Sequence, residues 1–133
     1  MWKVNAGRGS ALASEFIARS VVAIGWRELG DYSQSKSKSD VLAAVVKAYP
    51  GRTDRQNEVS AGQVWRFLSE VRVGDPVITY DPVARLYHLG KIAGAPTFRP
   101  DAIDQLPVQR AVTWSTAVSR DDLSPAAKES WVR

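Results

Sequence analysis

From Gly74-Asp75 onward the hydrophobic period of this chain switches to two, and that switch bounds the fold class. Just before it, apolar residues recur at helical spacing, Val64, Phe67, Leu68 and Val71 at i, i+3, i+4 and i+7. After it they alternate, as they do in strands with one face buried. Helices ahead of a β-meander predict an α+β fold, a curved, barrel-like mixed sheet with helices packed outside.

The individual elements follow from local signals. Residues 2–6 alternate as a first strand, closed by Gly7-Arg8-Gly9. Ser10 is placed to cap a short helix with Leu12, Phe16 and Ile17 facing in. Residues 21–26, Val-Val-Ala-Ile-Gly-Trp, predict a buried strand, with Gly25 permitting close backbone approach and Trp26 at the strand's mouth. A polar loop over 33–39 leads to a helix begun by Ser37 or Ser39. Its inward residues are Val41, Leu42, Val45, Val46 and Tyr49, and Pro50-Gly51 stops it. Residues 52–57 read as a second polar loop, before the helix that carries Val64 to Val71.

In the second half, 76–80 is a strand, 81–85 a turn and 86–94 the antiparallel partner. Residues 95–107 hold three prolines and predict an irregular connection with a short edge strand near Phe98. Residues 108–118 form a long strand with Val112, Trp114, Thr116 and Val118 on one face. Ser124-Pro125, after Asp121-Asp122-Leu123, starts a last helix. The whole span 1–133 reads as one domain, without repeats or low-complexity segments.

Composition narrows the function classes. No apolar run approaches the roughly 18 residues that span a bilayer, so no membrane partner is expected. The N-terminus lacks the layout of a signal peptide. The absence of cysteine excludes disulfides and Cys-ligated metals and fits a reducing cytoplasm. With a single histidine, no metal site is expected, and no cofactor is called for. Eighteen basic against 14 acidic residues leave a net charge of +4, a mild bias compatible with a polyanionic partner. Five tryptophans in 133 residues are the stronger oddity, because Trp is favoured where stacking or large-area contact matters. Trp2 and Trp114 are expected in the core, and Trp131 packs the last helix or faces a downstream domain.

Several blocks of this chain, in this order, resemble the EVE-like branch of the PUA superfamily. They are the opening strand with its Gly-rich turn, "VVAIGW-x-x-x-GD", "GQVWRFLSEVRVGD", "VITYDPVARLYHLGKIAG" and "VQRAVTWSTAVSRDDLS". The sub-group most similar is the N-terminal domains that precede Mrr-type and other modification-dependent restriction nucleases. The resemblance implies a small barrel that accepts a flipped, modified base, as the related YTH domains hold N6-methyladenine in an aromatic cage. It places the first cage aromatic at Trp26 and the polar base contacts of the first turn at Asn5, Ala6 and Gly7. The second cage aromatic falls on the loop before the last long strand, where this chain offers Phe98.

Base reading needs a flat stacking wall, polar groups for the base edge and cations for phosphate. Trp26 is the expected wall. Asp31 is a candidate acceptor for an exocyclic amine, or else a turn cap. Tyr80 and Asp81, at the end of a strand, and Trp65, one residue off the helical stripe, are further candidates for the pocket. Arg8, Arg27, Lys36, Lys38, Arg52 and Arg55 lie in loops that can form a basic rim, or else are solvated surface charges. No catalytic residue is expected. His88 has no nucleophile motif beside it, the carboxylates are scattered, and the Gly7-Arg8-Gly9 turn is too short to cradle a phosphate as a P-loop does.

The leading expectation is a DNA-binding module that recognises a methylated adenine, or a methylated or hydroxymethylated cytosine, by base flipping. It would target a nuclease carried by a fused or associated domain. The alternatives are an RNA-binding PUA-like domain, and a small modified-nucleotide sensor or interaction domain.

Overall fold

The computed structural model describes residues 1–122 and has an α+β architecture. The predicted last helix and Trp131 lie outside the described residues. Six strands are joined in the order β1-β3-β4-β6-β2, with β5 also on β6. β1 is Trp2–Lys3, β2 Val21–Ile24, β3 Pro76–Asp81, β4 Leu86–Ile92, β5 Thr97–Phe98 and β6 Val108–Ser119. Among the described residues the β1–β3 pair is parallel and the other pairs are antiparallel, which makes a mixed sheet. The sheet curls into a half-barrel, and one cluster of buried residues runs from Val4 to Val112. Among the described residues, no helix is long and apolar enough to cross a membrane.

Among the described residues, three α-helices accompany the sheet: α1 Ala13–Arg19, α2 Lys38–Ala48 and α3 Asp54–Trp65. The Ser37 hydroxyl caps α2, accepting from the Asp40 amide at 3.1 Å, which decides between the two serines. Val41 and Val45 are fully buried, whereas Val46 is half exposed instead of facing in. The predicted loop over 52–57 is largely helix. Thr53 Oγ1 accepts from Gln56 N, and Gln56 Oε1 accepts from Thr53 N, a capping box that starts α3 at Asp54. Its polar first turn faces solvent and therefore reads as loop by composition. Ser10 caps nothing: it sits in a short turn at φ 57°, and Leu12 precedes α1.

α3 does not stop cleanly. Residues Arg66–Glu70 widen into a π-turn closed by Val71 N donating to Arg66 O at 2.8 Å, the kind of helix irregularity that recurs at functional sites. Arg110 of β6, only 3% exposed, holds this end in place. Its guanidinium donates to the carbonyls of Phe67 and Val71, and its Nε donates to Gly94 O at 3.0 Å. Burial pulls Arg110 below its ordinary pKa, and the Asp75 carboxylate opposes that shift.

The long strand departs from strict alternation. Leu89 pairs with Thr116 and Gly90 with Trp114, so Ser115 is an extra residue in β6. This bulge turns Thr116 outward, and it does not share the half-buried face of Trp114. Gly90 is required there, because a Cβ at this position would lie 2.5 Å from Thr113 O and 2.8 Å from a Val112 methyl.

Candidate functional site

β1 and β2 occupy opposite ends of the hydrogen-bonded strand order, and the curl of the sheet brings both to one cavity of about 680 Å³. β1 and the turn after it contribute Trp2, Lys3, Asn5 and Arg8. β2 and its exit contribute Ala23, Ile24, Gly25 and Trp26. Gln63 at the end of α3 and Arg66 and Phe67 of the π-turn close a further side, with Leu106 from the connection before β6.

Trp26 is half-buried and packs partly against the core while lining the cavity. Its backbone is left-handed, φ 58° and ψ 45°, which costs an L-residue about 1–2 kcal/mol. Such strain persists where the surroundings enforce it. Tyr32 supplies part of that enforcement: it is 3% exposed, and its hydroxyl donates to Gly25 O immediately before Trp26. Burial raises the Tyr32 pKa far above its ordinary value, so the phenol stays a donor. Gly25 is not the close-approach point expected from the sequence. A Cβ there would meet its nearest atom, Gln105 O, at an ordinary 3.5 Å.

Trp2 is the aromatic that sequence reasoning assigned to the core alone. It packs against the core, yet it also lines the cavity. Its Nε1 donates to Asp75 Oδ2 at 2.9 Å. The same carboxylate oxygen accepts from Arg72 N at 2.9 Å. These two bonds, the backbone one foremost, lower the Asp75 pKa. Trp2, Trp26 and Phe67 thus give the cavity three aromatic rings, while Lys3, Arg8 and Arg66 give it three cations. Among the described residues, no carboxylate lines it.

The other predicted pocket residues lie elsewhere. Ala6 is wholly buried in the core beside the cavity. Asp31 caps its own turn, accepting from Ser33 N and Ser33 Oγ at 3.0 and 2.5 Å. Asp81 caps the β3–β4 hairpin through Val83 N and Ala84 N. Tyr80 packs on Tyr87 of β4, with ring centroids 4.6 Å apart, and the Arg120 guanidinium lies over the Tyr80 ring at 5.8 Å from its centroid. Trp65 and Phe98 pack against the core without lining the cavity. Tyr80 and Asp81 run into the β3–β4 hairpin, where Tyr80 pairs with Tyr87 and Asp81 with Leu86, and neither lines the cavity.

Of the predicted cations, Arg8 lines the cavity. Lys38 and Arg55 line an adjoining depression that shares Gln63 and Arg66 with it. Arg27 and Lys36 are exposed outside both. Arg52 is engaged structurally, donating to Ser60 Oγ at 3.1 Å and stacking 5.2 Å from the Tyr49 ring centroid. The Tyr49 hydroxyl donates to Glu28 at 2.6 Å; burial first and this bond second push its pKa up to about 12. Sequence reasoning missed Lys3, Gln63 and Arg66. The available signal was the polar Gln63–Arg66 pair at i, i+3, set beside the buried Val64 and Phe67.

A family model matches residues 2–130, that of DUF8426, a domain of unknown function. The chain belongs to the DUF8426 family. No curated protein and no solved structure matches it. The functional reading of this DUF8426 domain starts from the cavity. Its volume falls within the roughly 300–1,000 Å³ typical of ligand pockets. Its chemistry, flat aromatic rings framed by cations, suits a planar ring attached to an anionic chain.

Proposed function

We propose that this domain binds nucleic acid and reads a modified base that is swung out of the duplex into the cavity between β1 and β2. One observation carries the reading: Trp2 and Trp26 line a single cavity whose charged side chains, among the described residues, are all cationic. The resemblance of the sequence blocks to EVE-like domains supports it, and the curled half-barrel is compatible with that fold.

The energetics require such a site. Unstacking and unpairing a base costs a few kcal/mol. Stacking on an aromatic returns about 1–3 kcal/mol per base, and cations on the phosphates supply affinity that does not depend on sequence. A methyl group adds only about 0.8 kcal/mol when fully buried. Preference for a modified base therefore depends on a close-fitting apolar wall, with Trp26 as the first stacking surface and Asn5 as a polar contact to the base edge. Trp2 takes the part that the resemblance gave to Phe98.

The ligand on this reading is double-stranded DNA carrying methylated adenine or methylated or hydroxymethylated cytosine. The domain performs no chemistry of its own and delivers a nuclease held in a fused or associated domain. Its site of action is the cytoplasm, the compartment that a cysteine-free chain suits. Titration of the protein with matched duplexes, each bearing one common modification, tests this. Tighter binding to one modified duplex than to its unmodified twin is expected. Equal affinity for every duplex, or tighter binding of RNA than of any modified DNA, would overturn the reading.

A further inference from the structure

The cavity continues past α3. Gln63 and Arg66 also line a second, smaller depression of about 280 Å³, together with Lys38 at the start of α2 and Arg55 and Glu58 on α3. Three cations thus face one carboxylate. Gly62 lies in the same depression, and a Cβ built there would meet no heavy atom within 4 Å, so the surface is open at that point. Among the described residues, Lys38 and Arg55 form no ion pair. Arg66 reaches Glu70 at 3.7 Å, but both side chains are more than half exposed. Such a pair contributes little, so Arg66 can exchange the carboxylate for another anion at small cost.

Like charges gathered on one face repel each other and do not help the fold. An anion seated among them removes that repulsion, and a guanidinium fork matches the geometry of a phosphate. Among the described residues, the depression has no aromatic ring in its lining to stack a second base, and its side chains are mostly charged or polar. It is also continuous with the aromatic cavity through Arg66. We propose that it holds the phosphodiester flanking the bound base, so that the ligand of the two sites together is a polynucleotide and not a free nucleoside. This rests on the base-reading proposal above and adds to it a specific path for the backbone, across α3 from Arg66 towards Arg55 and Lys38.

The test compares the intact protein with the double variant Lys38→Gln, Arg55→Gln. Both positions are exposed, and neither side chain holds the core. Binding is measured across a range of salt for a modified duplex, its unmodified twin and the free modified nucleoside. The double variant is expected to weaken binding of both duplexes alike. The slope of log affinity against log salt should fall by about 2, one for each lost phosphate contact. Nucleoside affinity and the modified-to-unmodified ratio should stay unchanged, and Lys36→Gln, outside the depression, should behave like the wild type. An unchanged slope and duplex affinity in the double variant would overturn the phosphate assignment, as would an equal loss for the free nucleoside. If the wild type shows no preference for the modified duplex while the double variant still lowers the slope, the phosphate site stands and base reading fails.

Discussion

Trp2 and Trp26 stand at opposite ends of the sheet's strand order and line the same cavity. Only a sheet that curls can do this, and each indole is held by its own device. Trp2 is tethered through its ring nitrogen to Asp75. Trp26 is held by a left-handed backbone, with Tyr32 bonded to the carbonyl just before it. The cavity is therefore a product of the whole sheet, with no single loop able to form it.

The left-handed backbone at Trp26 predicts an inversion of the usual ranking of alanine and glycine. Both substitutions remove the indole, but glycine is free of the Cβ penalty at φ 58°. Trp26→Gly should unfold at higher urea than Trp26→Ala, by about 1 kcal/mol. Equal stability of the two variants would mean that the backbone relaxes once the indole is gone.

Tyr32→Phe keeps the buried ring and removes the donor to Gly25 O. It should cost about 1 kcal/mol of stability, read in denaturant melts. It should also weaken binding of the modified duplex, because the segment carrying Trp26 loses its anchor. Full retention of both would remove Tyr32 from the account.

Asp75 provides a pH signature. Its hydrogen bonds to Arg72 N and Trp2 Nε1 hold the folded-state pKa below that of the unfolded chain. The carboxylate's contribution to stability is thus complete above the unfolded value of about 3.9 and fades as the pH falls through the lower, folded value. The gap in melting temperature between the wild type and Asp75→Asn should accordingly close on acidification below about pH 4. A gap that stays constant in acid would show that the carboxylate does not titrate with folding.

Gly90→Ala should destabilise the protein by about 1–3 kcal/mol through overpacking, because the new methyl would collide with Thr113 O and Val112. Thermal unfolding reads this directly. A neutral result would mean that the bulge at Ser115 can shift to make room.

Much of the fold is legible in the sequence because local signals there agree with the tertiary answer. The Val21–Ile24 run is a buried strand, and Val64, Phe67 and Val71 form a buried stripe. The helical turn at Asp54 escapes notice because its polar residues face solvent, and only the Thr53–Gln56 spacing marks it. The bulge at Ser115 leaves no periodic trace. The site divides in the same way. Trp26, Asn5 and Arg8 lie next to turn signals in the sequence and do line the cavity. Trp2, Lys3 and Arg66 reach it only because the sheet curls and the π-turn after α3 closes the same cavity, and no local pattern reports that. Asp31 and Asp81 illustrate the opposite error, since an aspartate at a turn serves the turn first.

The central claim is that the Trp26 indole discriminates a modified base. Affinities of wild type and Trp26→Ala for matched modified and unmodified duplexes, at one fixed salt concentration, test it most directly. The wild type should prefer the modified duplex, and the variant should lose that preference along with about 1–3 kcal/mol, or roughly 5- to 150-fold, of its affinity for the modified duplex. Its weaker binding of unmodified DNA should persist. Preference that survives in Trp26→Ala would contradict the account.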